Sequence, residues 1–345
     1  MTQICEVEPQ NPSIEIIRRA ARIIRMGGLV AFPTETVYGL GADAMNATAV
    51  RKIFAVKERP LDNPLIVHVA DEGSIKKLAA NIPDEAKILI EKFFPGPITI
   101  VLEKKPVVPD VTTANLPTVA LRMPNNKVAL SLIEESGTPI AAPSANKAGR
   151  PSPTKAQHVL EDFKGEVDLI LDGGPTTFGL ESTVVDLTVN PPQLLRPGAV
   201  TLEMLNDAIG QVQVHPSVKL EMSSEDLAKS PGMKYRHYAP RAELVVVTGR
   251  DEDVAKKIRE MINMFRSKGL RVGVASTTGM EYSADYVEKL GRTKLEIASR
   301  LYDGLRRFDE AEVDIIIAEG VDECGLGLAI MNRLKKASDY RVVRA

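Results

Sequence analysis

The chain of 345 residues has no tryptophan, only two cysteines, and aromatic residues at 4% of its length. Cys5 and Cys324 stand near opposite ends with no CxxC or CxxH pairing, which excludes a disulfide framework and a thiolate zinc site and fits a reducing compartment. So few aromatics argue against a single-strand nucleic-acid platform, where Phe, Tyr or Trp must interleave with cations to stack bases. Charge of one sign is also lacking: 44 Lys and Arg face 46 Asp and Glu, and the balance holds on both sides of residue 200. A polyanion would have to be held by a local cluster of cations rather than by bulk charge. No apolar run approaches the ~20 residues of a membrane-spanning helix. The acidic start MTQICEVEPQNPS lacks the basic-then-apolar pattern of a secretory signal. A soluble, cytoplasmic, monomeric protein without a membrane partner is the expectation.

Against those absences, 44% hydrophobic and 26% charged residues suit a chain that buries ordinary cores, and the length predicts about two domains. Asn11-Pro12 ahead of Ile14, Ile17, Ala21 and Ile24 at helical spacing, then Gly27-Gly28, predicts a helix stopped by glycine. Leu29 to Phe32 predicts a buried strand, followed by strands Leu65 to Val69, Ile98 to Leu102, Val119 to Met123 and Ile140 to Ala142. Helical patterns fall at 73–80, 84–93 and 126–136. Strands Leu169 to Leu171, Thr183 to Leu187 and Gln193 to Leu195, with a helix near 201–209, complete a mixed α/β domain over residues 1–210. Periodicity then fails across a linker, residues 211–240, where SPGMKYRHYAPR gathers prolines, glycine and basic residues. Residues 241–345 alternate strands Leu244 to Val247, Val272 to Ala275 and Ile315 to Ala318 with helices 252–268, 294–308 and 329–337. That is the pattern of a smaller, Rossmann-like parallel α/β domain.

A period of two within 65–69 puts Leu65, Val67 and Val69 on one face and Ile66 with His68 on the other. His68 is therefore either a core histidine satisfied by one hydrogen bond or a site residue. The same phase in 119–123 sets Arg122 beside Ala120, and a buried arginine requires either a buried acid or an anionic ligand, carboxylate or phosphate, that matches its planar fork. Lys57 and Arg59 share a loop ahead of Asn63-Pro64, and Arg196 ends a strand before Pro197-Gly198; taken singly, such loop cations are ordinary solvated surface. Ser144, Asn146 and Ser152 lie among small residues after Ala141-Ala142, a composition that lets a ligand approach the backbone and equally suits a tight turn. Glu181-Ser182-Thr183 repeats the theme. No GxxxxGK[ST] loop occurs, and Gly325-Leu326-Gly327 lacks a third glycine, so a nucleotide site here would not be a standard one.

Together, Phe32-Pro33-Thr34-Glu35-Thr36-Val37-Tyr38-Gly39-Leu40, Lys57-x-Arg59-Pro60, Asn63-Pro64-Leu65, Arg122-Met123-Pro124, Pro143-Ser144-Ala145-Asn146, Glu181-Ser182-Thr183 and Arg196-Pro197-Gly198 closely resemble the Sua5/YrdC family. The KxR and SxN pair is the most specific part of the match. The resemblance spans residues 1 to about 210, and the tail, ending in Ala329-Ile330-Met331-Asn332-Arg333, resembles the C-terminal domain of the longer, two-domain Sua5 form. It implies a YrdC-like twisted mixed sheet with helices. It also implies nucleotidyl transfer: L-threonine, bicarbonate or CO2 and ATP, with Mg²⁺, give L-threonylcarbamoyladenylate and pyrophosphate for modification of adenosine 37 of tRNA (t6A). A tRNA threonylcarbamoyl transferase, KEOPS-type or its bacterial equivalent, would receive the product.

By motif position the resemblance implies Thr36, His68, Arg122, Ala142 and Ser182 as threonine ligands. For ATP it implies Lys57, Arg59, Asn63, Thr118, Ser144, Asn146, Ser152 and Arg196, with Lys57, Arg59, Ser144 and Asn146 as the catalytic set; Tyr235 joins the ATP contacts from the linker's own composition. It names no metal ligands. Residues 230–241 are then either a lid over the site, with Tyr235 reaching the phosphates, or a solvated linker. Two other functions share the fold by resemblance. An RNA-binding module acting in tRNA or rRNA maturation is opposed by the balanced charge, and no strong direct tRNA binding is expected. A carbamoyl-transfer module of the hydrogenase-maturation type would carry zinc fingers that two cysteines cannot supply.

Overall fold

The computed structural model describes residues 2–218 and 238–345, which divide into two compact units: residues 2–148 with 152–218, and Gly149–Pro151 with 238–345. Among the described residues, the first unit carries an eleven-stranded sheet. From edge to edge it runs Gln3–Glu6, Leu169–Asp172, Val30–Phe32, Gly39–Asp43, Ile140–Ala141, Ile66–His68, Thr118–Arg122, Ile98–Glu103, Thr183–Asp186, Gln193–Arg196 and Gln213–Val214. Parallel and antiparallel pairings mix along it, as the strand-to-strand steps in the sequence predict.

The helix Ile14–Arg25 buries Ile17, Ala20, Ala21 and Ile24 completely, with Glu15 in its first turn and Arg22 and Arg25 in its last, each sign matched to the helix dipole. It packs with helix Lys127–Ser136, capped by the Asn126 side chain and ended by Gly137 at φ 65°, over Val30, Phe32, Leu169 and Leu171 of the sheet. Residues 213–218, which the loss of periodicity assigns to the linker, belong to this unit: Gln213–Val214 adds a parallel edge strand beside Gln193–Arg196, followed by a 3-10 turn at Pro216–Val218. A two-residue edge strand needs no apolar alternation, so the sequence carries little signal for it.

The second unit is a sheet of five parallel strands among the described residues, ordered Tyr286–Lys289, Val272–Ser276, Ile315–Glu319, Glu243–Thr248 and Val342–Arg344. In chain order this is 3-2-4-1-5, the dinucleotide-binding order 3-2-1-4-5 with its first and fourth strands exchanged. Helices Asp251–Arg266, Lys294–Glu310 and Leu326–Ala337 are its crossover elements, the middle one opened by a reciprocal Thr293–Glu296 capping box. Tyr238, at φ 67°, is buried in this unit, stacked on Tyr302 at 5.3 Å with the Arg333 guanidinium over its ring. No helix among the described residues is long and apolar enough to cross a membrane.

Candidate active site

Strand pairing brings the face that carries His68 together with the face that carries Arg122. Ile66 pairs with Ala120 and His68 with Arg122 in parallel register, so all four side chains project from one face. On the next strand Ile100 opposes Leu121, and extending that antiparallel register by one residue sets Thr99 beside Arg122. Thr99 in turn pairs with Val184, and Val184 with Arg196. His68, Arg122, Thr99, Val184 and Arg196 thus form a row across five adjacent strands, about 19 Å long at ~4.8 Å per strand. Ile66, Val101, Ala120, Val184 and Leu195 make an apolar cluster that adjoins the row and includes its Val184.

At one end of the row Arg122 lies 2.8 Å from the Glu35 carboxylate, both residues nearly sealed from solvent. Its second contact, to the Thr34 hydroxyl, is long at 3.5 Å, and its Nε has no hydrogen-bond partner among the described residues. The His68 ring, edge-on to Phe32, is likewise unpartnered at Nδ1. Burial, with the Arg122 charge second, pushes the imidazole down to about 3, so it is neutral at physiological pH. Thr36 Oγ1 sits 2.9 Å from the Thr34 hydroxyl, whose own proton goes to the Val37 carbonyl at 2.7 Å. Thr36 is therefore the donor of that pair and keeps its lone pairs for a ligand. Ala142 spends its N–H on the Ile66 carbonyl. Ser182 receives Arg196 at its hydroxyl (3.1 Å) and at its carbonyl (2.9 Å), and Thr99 touches the same hydroxyl at 2.7 Å.

The KxR and SxN segments meet through Lys57. Its ammonium donates to the carbonyls of Ser144, at 2.5 Å, and Asn146, leaving one N–H for anything else. The helix Ala47–Lys57 ends there because Glu58 turns left-handed, at φ 55°. Full burial, then the neighbouring Arg59 charge, holds the Lys57 ammonium well below the ordinary lysine range. Arg59 donates to the Asn63 and Pro64 carbonyls at 3.3 and 3.2 Å, while the buried Asn63 Oδ1 has no partner among the described residues. Asn146 donates to the Lys147 carbonyl at 2.8 Å. Extending the Ile66–Ala120 register sets Thr118 beside Pro64, so Thr118 stands at the Arg59 end of the strand, roughly 13 Å from Arg122. Ser152 donates its proton to Glu181 at 2.5 Å, with both residues buried. Tyr235 lies outside the described residues, as does all of the 230–241 segment except 238–241. Three residues of this site were given no role in the sequence reading. Glu35 and Glu181 stand inside quoted motifs, and Thr99 is a lone hydroxyl in an otherwise apolar strand, which was the signal available.

Residues 22–198 match the Sua5, YciO and YrdC family model, described as telomere recombination, and residues 200–339 match the model of the threonylcarbamoyl-AMP synthase C-terminal domain. The chain belongs to the Sua5/YrdC family. This Sua5-type chain is 55% identical to the threonylcarbamoyl-AMP synthase of Pyrococcus abyssi over 328 residues, 95% of each protein. It is 50% identical to that of Bacillus subtilis over 344 residues, 98% of this chain and 96% of the relative. The crystal structure of Pyrococcus abyssi Sua5 complexed with L-threonine is similar to it with a TM-score of 0.96 at 54% identity, covering 99% of both chains.

Proposed function

We infer that the chain is an L-threonylcarbamoyladenylate synthase, which joins L-threonine, bicarbonate and ATP into threonylcarbamoyl-AMP, pyrophosphate and water. The threonine amine captures CO2, or bicarbonate with loss of water, as a carbamate. A carbamate oxygen then attacks the α-phosphorus in line as pyrophosphate leaves. The observation that carries this reading is the row from His68 to Arg196, which sets an arginine with an unpartnered buried Nε next to hydroxyl groups on the same sheet as the Lys57 and Arg59 loops.

Arg122 would clamp the threonine carboxylate through the donors that Glu35 leaves open. Thr36, with free lone pairs, would accept from the amine or hydroxyl, and neutral His68 can face the amino acid without adding charge. Arg59, Arg196 and the remaining Lys57 N–H supply cationic stabilisation for the phosphates, with Asn63, Thr118, Ser144 and Asn146 around them. Ser152, its proton spent on Glu181, can offer the nucleotide only a lone pair, which suits an amino group of the base. The described residues hold no cluster of His, Cys, Asp or Glu that would cage a metal, so the expected Mg²⁺ would enter with the triphosphate and neutralise its charge. The adenylate would pass to a tRNA threonylcarbamoyl transferase.

The test is incubation with ATP, L-threonine and bicarbonate, followed by mass spectrometry of the adenylate and assay of pyrophosphate. Product should need all three substrates, because the nucleophile is the carbamate. Serine lacks a methyl group worth roughly 1–3 kcal/mol in an apolar contact and should substitute poorly. Undiminished pyrophosphate release with threonine omitted would overturn the reading.

A further inference from the structure

Thr99 is fully buried in the strand Ile98–Glu103, flanked by Ile98 and Ile100, and lies in the row between Arg122 and Val184. Its hydroxyl has one partner among the described residues, the Ser182 hydroxyl at 2.7 Å. Ser182 is equally buried and already accepts an N–H from Arg196 at 3.1 Å. A serine hydroxyl has one proton and two lone pairs, so the direction of the Thr99–Ser182 bond decides what remains. If Ser182 donated to Thr99, the Thr99 proton would be left without an acceptor among the described residues, a costly arrangement for a buried donor, and Ser182, the position that the resemblance sets against the amino acid, would have no proton to offer. If Thr99 donates, both lone pairs of Ser182 are filled, by Thr99 and Arg196, and its proton is the group left over.

We propose that Thr99 is a positioning residue that fixes Ser182 as a hydrogen-bond donor, so that Ser182 selects an acceptor atom of the amino-acid substrate, a carboxylate or hydroxyl oxygen, and not its ammonium. Thr36 has the opposite polarity, since its proton is committed to Thr34. The two hydroxyls therefore sort the polar atoms of a β-hydroxy amino acid by donor and acceptor. This rests on the reading of the row as an amino-acid site.

Thr99→Val keeps the shape and removes the hydroxyl; Thr99→Ser keeps the hydroxyl and removes the methyl. With the full chain, the KM for L-threonine in pyrophosphate release should rise about tenfold in Thr99→Val, the order expected for one lost oriented hydrogen bond. The kcat and the KM for ATP should stay within about twofold, and Thr99→Ser should recover most of the loss. In a Ser182→Ala background Thr99→Val should add nothing further, because its effect runs through Ser182. Calorimetry of L-threonine binding to the same proteins reads the effect without turnover, and Thr99→Ala replaces Thr99→Val if circular dichroism shows the latter unfolded. A folded Thr99→Val with unaltered threonine KM overturns the proposal, as does a Thr99→Ser variant as impaired as Thr99→Val. An unmutated chain that neither binds L-threonine nor makes the adenylate would instead sink the functional reading.

Discussion

Arg122 and Glu35 form an ion pair of 2.8 Å in which the arginine is 4% and the glutamate 6% exposed. A buried pair of this kind gains little over an apolar pair of equal volume, but breaking it strands a charge in a low-dielectric site. Of the two alternatives that its place in the strand allowed, Arg122 has the acid within the fold, and its Nε has no hydrogen-bond partner among the described residues.

Glu35→Gln should therefore lower unfolding free energy by about 3–5 kcal/mol, read as an earlier urea midpoint. L-threonine at a fixed concentration should raise that midpoint more in the variant than in the unmutated chain, since its carboxylate supplies the missing negative charge. An unchanged midpoint without ligand would mean that Glu35 does not compensate Arg122.

Arg122→Lys keeps the charge opposite Glu35 and loses the planar fork. The fold should survive. Threonine affinity should fall about 10- to 100-fold, the equivalent of one charged hydrogen bond of about 1.5–3 kcal/mol, while ATP affinity changes far less. Isothermal titration of each ligand separates the two. Equal losses for both would place Arg122 outside the amino-acid end of the row.

Part of the site was legible because alternation set His68 on a face with Ile66 and Arg122 on a face with Ala120, and strand pairing brings those two faces together. Their partners were not legible. Glu35 meets Arg122 across a sequence distance that no local spacing encodes, and Thr99 shows only as a hydroxyl inside an apolar strand. The strands missing from the sequence reading share a physical reason. Gln3–Glu6, Gln213–Val214, Tyr286–Lys289 and Val342–Arg344 are all sheet edges, where polar residues are tolerated and apolar alternation is not required. Gly39–Asp43 lies inside the sheet but is glycine-rich for space: a Cβ at Gly41 would come within 2.7 Å of Phe32 and 2.8 Å of Ile140.

His68 predicts a pH dependence of stability. Its folded value near 3 lies below the ordinary 6.5, so the unfolded chain binds a proton that the native chain refuses between those values. Its contribution is complete above pH 6.5 and declines on acidification toward 3, at ~1.4 kcal/mol per unit. Urea unfolding of the unmutated chain and of His68→Gln across that window should diverge with a slope of this sign. Parallel curves would show that the imidazole is not held neutral.

Glu319 should do for the second unit what the Glu35 pair does for the first. It ends the central strand Ile315–Glu319 fully buried, and the chain from 276 to 282 wraps its carboxylate: Ser276 Oγ at 3.2 Å, the Thr277 and Thr278 amides at 2.5 and 2.8 Å, Thr278 Oγ1 at 2.9 Å, and the Tyr282 hydroxyl. An ionised carboxylate accepts at every one of these points, whereas an amide turns two donors toward groups that are themselves donors. Glu319→Gln should accordingly cost more than one charged hydrogen bond, about 1.5–3 kcal/mol each. The damage should be local: amide exchange should accelerate through residues 276–282 and along Ile315–Glu319, with protection in the first unit unchanged. Tyr282 provides a second readout. Burial, followed by the Glu319 hydrogen bond and charge, holds its phenol above the ordinary tyrosine range, so removing the charge should let it ionise at lower pH in an ultraviolet difference titration. If exchange in 276–282 stayed slow and the Tyr282 titration did not move, the carboxylate would not be what organises this loop.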